Sequence, residues 1–425
     1  MKTLSTLFLV LTLSAISTST VNSTSTSKLT STLNLTNSSS VKMPEVLNVK
    51  SRRTLTFSNH FQTIKARFVS NALLFTGLKL FGKDLNNIQM TDIHKEDSRK
   101  VINVPNILGL ETLKCDFHMH TIFSDGVVWP TVRVDEAWQE GLDAIAITDH
   151  IENNPSKMFV GGDDNSSFEI AKPYAKKKNI ILVRGGEISR DMPPGHFNAL
   201  FLTDVNALDK ENFMDAFEAA KKQGAFIVWN HPGWKAQQPD TCKWWDIHTK
   251  LFEKGMLNAV EVFNEKEFYP VTLDWCNEKN IAYMAASDIH GIIASTYNLD
   301  EYNRPLTLVF AKDRTEESLR EALFAGRTVA WFVNYLAGKE EYLREIFEAS
   351  INTAFQNENE HGKNYLVKNI SDIPFTLVSD DGTSFILTAN SESMVNIPNG
   401  NNAKFEVSNL LITTNQNLVV NFPGK

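Results

Sequence analysis

The chain has 425 residues, 42% hydrophobic and 22% charged, with a formal net charge of −8. That composition supports a sizeable core and two or three domains, and its acidic balance gives no obvious nucleic-acid footprint. Cys115, Cys242 and Cys276 are odd in number and scattered, which excludes a disulfide framework and a structural zinc site and leaves them as small buried hydrophobes.

At the amino terminus Lys2 precedes an apolar stretch over residues 4–16, too short to span a bilayer. This predicts a signal peptide over 1–22, followed by a Ser/Thr-rich leader and linker over 23–110. Between Lys42 and Lys83 the chain is basic, with Glu45 its single acidic residue, so a start at Met43 would give a second leader. Either start predicts a secreted or periplasmic protein with no transmembrane segment after processing.

From residue 111 the texture becomes short apolar runs alternating with amphipathic helices. Strands are expected over 113–117, 144–148, 180–185, 197–202, 225–229, 259–263 and 281–285, and helices over 131–140 and 208–223 among others. Pro130 and Gly224 supply ordinary helix start and stop chemistry. Repeated strand–helix alternation implies a parallel sheet, closed into a barrel or open. A strand–helix–strand coda follows over 306–333, completing an α/β region over 111–350. From residue 351 the pattern is all-β, a small sandwich over 351–425, with a hairpin turn at Asp381-Gly382.

Side chains that bind metals recur at the strand ends. His118-Met-His120 closes the first strand, with both imidazoles on one face, and Asp125 follows in the loop. Later strands end in Thr148-Asp149-His150, Gly186-Glu187, Asn230-His231-Pro232 and Ser287-Asp288-Ile289-His290. His196 is the exception, because it begins a strand and would reach the cluster from the loop that carries Arg190. In parallel βα architectures, functional side chains gather at the carboxyl ends of strands. Imidazole mixed with carboxylate suits zinc, manganese or iron, and nine ligands match two or three divalent ions rather than one. Ions a few ångströms apart lower the pKa of water to about 7 and hold ester oxygens for displacement.

These motifs, in this order, resemble the polymerase-and-histidinol-phosphatase (PHP) family of metallohydrolases over residues 111–335. The resemblance implies a distorted seven-stranded (β/α) barrel and a phosphoesterase that cleaves mono- or diesters with a metal-bridging hydroxide at a trinuclear centre. It implies a first site of His118, His120, Glu187 and Asp288, and a second of Glu187, His196 and His231. The third would hold Asp125, His150 and His290, with Asp125 where many members carry histidine. Glu187 and Asp288 would act in catalysis. The flanks and the β tail are similar to exported members of Bacteroidetes-type bacteria.

Arg190 is a candidate fork for a phosphate oxygen, or a surface residue paired with Asp191. Trp244, Trp245 and Tyr269 are candidates for the wall of a leaving-group pocket. His60, His94, His248 and His361 fall outside the motifs. The expected partner is a small phosphate ester. The rival readings are an amidohydrolase-type hydrolase of carbonyl substrates and a noncatalytic, metal-stabilised binding protein.

Overall fold

A single mixed sheet of fifteen strands organises the computed structural model, which describes residues 98–400 and 403–423. All of them belong to one compact unit, His94–Lys425. The expected signal peptide, and the linker as far as residue 97, lie outside the described residues. No helix among the described residues is long and apolar enough to cross a membrane.

Strand β1 (Glu111–Asp116), helix α1 (Pro130–Gln139), strand β2 (Ala144–Ile147), helix α2 (Ser166–Lys178) and strand β3 (Ile181–Ser189) form parallel βαβ units. β2 reads Ala-Ile-Ala-Ile and is buried throughout, as a parallel strand covered on both faces must be. α1 begins at Pro130 and turns Val134 and Ala137 to the core. α2 ends where Asn179 adopts the left-handed conformation.

β3 is longer than expected, because it turns back into an antiparallel hairpin with β4 (His196–Leu200). That corrects the all-parallel expectation. A reversed β4 starts at the end of the sheet where its neighbours finish, so His196 sits opposite Ser189, two residues from Glu187. The helix expected over 208–223 is also shorter. A 3-10 turn at Asn206–Leu208 is followed by α3 (Phe213–Lys222), whose start is fixed by the Asn212 side chain accepting from the Met214 N–H.

The sheet continues through β5 (Phe226–Trp229), α4 (Asp246–Glu253), β6 (Ala259–Asn264), β7 (Glu267–Phe268), α5 (Val271–Lys279) and β8 (Ala282–Ala286). β5, β6 and β8 are parallel neighbours, and β7 folds back on β6. After α6 (Ile293–Thr296), strand β9 (Leu306–Ala311) lies antiparallel to β1. Helix α7 (Glu316–Phe324) leads to the meander of β10 (Thr328–Phe332) and β11 (Tyr335–Gly338).

No ring of backbone ladders closes among the described strands. β8 and β1 nonetheless meet beyond their ends, in an isolated parallel bridge between Met119 and Ile289. Lower down, β9 comes up against β8, and the Thr307 hydroxyl bonds both the N–H and the C=O of Ala285 at 2.9 Å.

Helix α8 (Glu340–Ser350) precedes seven strands: β12 (Ile351–Asn359), β13 (Gly362–Asn369), β14 (Phe375–Val378), β15 (Ser384–Leu387), β16 (Ser391–Pro398), β17 (Lys404–Thr413) and β18 (Gln416–Asn421). β12, β13 and β16 form a separate sheet. The others extend the main sheet, because β17 pairs in parallel with β11. β14 and β15 are joined by the expected turn, with Gly382 at φ 85°. One apolar cluster runs from Ile145 and Leu308 through Leu343 to Phe375, Phe405 and Val407, so the tail shares its core with the βα region.

Candidate metal centre

All nine residues singled out as ligands converge on one end of the sheet. Their donor atoms fall into four overlapping groups, each within 4.8 Å: His120 with Asp125, His150 and His290; His118 with His231 and Asp288; His118 with His120 and Glu187; and His150 with Glu187 and His196. The Asp125 loop passes directly over His120. A Cβ on Gly126 would lie 2.6 Å from the His120 carbonyl carbon, so only glycine fits. His231 and Asp288 sit at positive φ, 28° and 49°, which is unfavourable for any residue with a Cβ.

Hydrogen bonding fixes several tautomers. Nδ1 of His118 donates to Glu261 at 2.8 Å, which leaves a lone pair on Nε2. The Ser124 hydroxyl donates to Asp149 and accepts from Nδ1 of His120 at 3.3 Å, so Nε2 of His120 is also unprotonated. These two Nε2 atoms face each other at 3.1 Å, and Asp288 Oδ1 lies 3.1 and 3.0 Å from them. Nδ1 of His290 donates to the Asp288 carbonyl at 2.8 Å, so its Nε2 presents a lone pair to Asp125 Oδ1 at 3.1 Å. Meanwhile Asp125 Oδ1, Glu187 Oε2 and Asp288 Oδ1 are buried and lack a hydrogen-bond partner. Lone pairs pointed at one another without intervening protons are the arrangement that divalent cations resolve, so the donor set fits metal ions.

The carboxylates and imidazoles also shift one another's charge. Burial opposes the ionisation of Glu187 and Asp288, yet the surrounding imidazoles hold both well below the usual carboxylate range. Burial likewise opposes charge on His150, but Glu187 above all pushes it up to about 9. His120 goes the other way: burial, only partly offset by Asp288 and reinforced by His150 and His290, takes it down to about 3. It is a neutral base poised for a cation.

The grouping departs in part from the one the family resemblance implied. His150 shares Glu187 with His196, at 2.5 and 3.0 Å, whereas His231 Nε2 is 3.7 Å from Glu187 and 3.9 Å from Asp288.

Residues that sequence reasoning did not single out hold the ligands in place. Glu261, in the middle of buried β6, also accepts from the His231 N–H at 2.7 Å and from the Asn264 amide at 2.8 Å. Asp116 accepts from the Ser287 hydroxyl at 2.5 Å and the His118 N–H at 3.3 Å, and is countered by buried Arg304 at 3.1 Å. Arg133, fully buried, donates to the carbonyls of His120 and Ile289. A charged residue inside an otherwise apolar strand was the available signal, since a buried charge requires a partner.

A cavity of about 510 Å³ opens over the centre, lined by Asp125, His150, His196, His231, Asp288 and His290, with Trp234 and the β6–β7 turn. Glu187 lies behind this wall. Arg190 is also off it, which corrects the expected phosphate fork. Its Nη2 bonds the Lys210 carbonyl at 2.5 Å and Glu152 at 2.8 Å, so Glu152 rather than Asp191 is its acidic partner. Trp244 is likewise no wall residue, because it packs edge-on against Trp229 and Trp275. Tyr269 is buried, donating to Glu267, and Trp245 is off the wall, with Lys243 lying over its ring. His248 is a core histidine stacked on Trp229, and His361 is exposed. His60 and His94 lie outside the described residues. Cys115 and Cys276 are buried, and Cys242 half-buried.

The fold has a solved counterpart. A two-domain protein of Bacteroides vulgatus, containing a predicted PHP-like metal-dependent phosphoesterase, superposes with a TM-score of 0.75 and 42% identity, over 77% of this chain and 99% of that one. The present chain belongs to the PHP-like metal-dependent phosphoesterases. The match to a curated protein is shorter. The 5'-3' exoribonuclease of Haemophilus influenzae is 35% identical over 78 residues, 18% of this chain, and the match spans only 24% of that relative's length. No protein-family model matches the chain. Family membership and the converging ligand set together make this a metal-dependent hydrolase.

Proposed function

We propose that the protein hydrolyses small phosphate mono- or diesters at a centre of two or three divalent ions, zinc, manganese or iron. The observation that carries this is the set of three buried carboxylate oxygens, one each from Asp125, Glu187 and Asp288, that make no hydrogen bond and lie among imidazole nitrogens beneath an open cavity. His118, His120, Glu187 and Asp288 would hold one ion and Asp125, His150 and His290 another, while His196 and His231, on either side of Glu187, would hold a third, with His150 and Asp288 near enough to share in it. Ions held there would lower the pKa of water to about 7 and polarise the phosphoryl oxygens.

The protein's own groups have distinct tasks. Glu187, behind the cavity wall, supplies negative charge shared among several imidazoles and sets their spacing. Asp288 borders the cavity, and its carboxylate is the group we assign to take a proton from the attacking water. Asn230 donates to Glu187 Oε1 at 2.9 Å and keeps that carboxylate from rotating.

We further read the β1–β6 and β8 strands as a distorted seven-stranded barrel, which the Met119–Ile289 bridge supports. On this reading residues 351–425 are a small sandwich packed against a metallohydrolase region over 111–350. Residues 1–22 would direct export to the periplasm or beyond.

The test is a panel of phosphate mono-, di- and triesters with lactones and amides, run on protein stripped by chelation and reloaded with each metal. Metal-dependent turnover of at least one phosphate ester, above any carbonyl substrate, is expected. Turnover confined to lactones or amides would favour an amidohydrolase-type activity, and metal binding without turnover of anything a structural role.

A further inference from the structure

Large apolar side chains on a cavity wall have a cost unless a ligand covers them. Trp234 is such a residue, 41% exposed on the wall of the cavity. Its backbone is fixed, with the N–H donating to the His231 carbonyl and the C=O accepting from the N–H groups of Gln237 and Gln238. Its ring stands edge-on to His231 at 5.4 Å and tilted to His196 at 5.9 Å, so it is a plate beside the metal-binding imidazoles. The cavity, about 510 Å³, is in the range of sites for whole small molecules, roughly 300–1,000 Å³, and far exceeds what a phosphoryl group fills.

The neighbouring wall is the turn between β6 and β7. It presents Glu265, Lys266 and Glu267, two acids and one base, hence a net charge of −1. Lys266 is spent on Glu265 at 3.2 Å, and Glu267 accepts from the Tyr269 hydroxyl at 2.6 Å. Among the described residues, no other lysine or arginine lines the cavity. A second anionic group on the substrate would therefore meet a turn of net negative charge on this side of the cavity.

We propose that the outer half of this cavity selects a phosphate ester whose leaving group is a planar aromatic ring without negative charge, seated on Trp234. This rests on the phosphoesterase reading above. Trp234 supplies a rigid aromatic face at little entropic cost, and the Glu265–Lys266–Glu267 turn, with its net charge of −1, supplies the charge discrimination.

Calorimetric titration of the metal-loaded protein with phenylphosphonate, methylphosphonate and 4-carboxyphenylphosphonate tests it without turnover, beside kcat/KM for phenyl and glycerol phosphates. Phenylphosphonate should bind about tenfold tighter than the methyl compound. Trp234→Ala should collapse that ratio toward one, and Trp234→Phe should keep part of it. The carboxyl compound should bind more weakly than the phenyl one, with the gap narrowing in Glu265→Gln. Comparing phenyl phosphate with a nucleoside 5'-monophosphate, whose ring lies one sugar further out, identifies the source of the ring as whichever loses more in Trp234→Ala. Equal binding of phenyl and methyl compounds, or a ratio untouched by Trp234→Ala, overturns the inference alone. If no phosphonate binds and no phosphate ester is cleaved with any metal, the phosphoesterase reading falls and takes this one with it.

Discussion

The carboxylate of Glu261 reaches His118 Nδ1 at 2.8 Å with one oxygen and the backbone N–H of His231 at 2.7 Å with the other. A single buried group on β6 thus sets the tautomer of one proposed ligand and the position of a second. Carboxylates bonded to ligand imidazoles typically contribute 10–100-fold to metal affinity or activity. Glu261→Gln, which can still accept but no longer carries charge, should lose about tenfold in metal affinity and in kcat/KM. Equilibrium dialysis against buffered zinc, with kinetics on the same preparations, measures both, and two unchanged values would sink the assignment.

Arg190 holds its loop rather than the substrate. With its guanidinium on Glu152 and the Lys210 carbonyl, Arg190→Ala should cost kcat/KM for a phosphate ester no more than about threefold. It should also make the 190–195 loop more sensitive to limited proteolysis. Removing a donor from a transition-state oxyanion costs about 3 kcal/mol, on the order of a hundredfold in rate. A loss of that size, with metal content intact, would return the guanidinium to the phosphate.

His248 makes stability depend on pH. Its Nδ1 accepts the Trp245 N–H at 3.0 Å while Nε2 bonds the Pro194 carbonyl at 2.8 Å, so the ring must be neutral. Burial, only partly offset by the Pro194 bond, moves its pKa from 6.5 down to about 4. The unfolded chain takes up this proton first. Stability from this group is therefore complete above pH 6.5 and declines as pH falls toward 4, by on the order of 3 kcal/mol. Urea unfolding of the wild type and His248→Gln across that window measures it. The variant should show a shallower decline, and parallel curves would contradict the argument.

The C-terminal strands should prove inseparable from the rest. Deleting residues 351–425 would strip β17 from β11 and lay open the apolar cluster that Phe375, Phe405 and Val407 share with Leu308. An exposed apolar edge strand is an aggregation hazard. The truncated protein should be insoluble or associated in size-exclusion chromatography, and a monomeric, metal-loaded truncation would refute this.

Much of the centre was legible because its ligands lie at strand ends, where a histidine two residues from another must share its face. His118 with His120 needed only that periodicity, whereas Asp288 and His290 lie past the end of β8, with Asp288 at φ 49°, and were legible from their place after a strand. His196 did not yield to it, because strand direction is decided by which neighbour a strand pairs with, and an apolar run reads the same in either direction. Glu261 was hidden by its context, since Val-Glu-Val-Phe could equally be an alternating strand with the acid outward. The join at β11 and β17 was invisible for a different reason: pairing across more than seventy residues leaves no local trace, and the change to β texture at residue 351 marked a change of pattern without a break in the core.

His231 and Asp288 hold a left-handed backbone conformation that costs a residue with a Cβ up to about 1–2 kcal/mol. Glycine would adopt either conformation without that penalty, so His231→Gly and Asp288→Gly can melt higher than the parent while hydrolysing nothing. Screens that rank variants by thermal tolerance or soluble yield would then enrich inactive proteins at these two positions. Any effort to harden this enzyme has to score turnover in the same round.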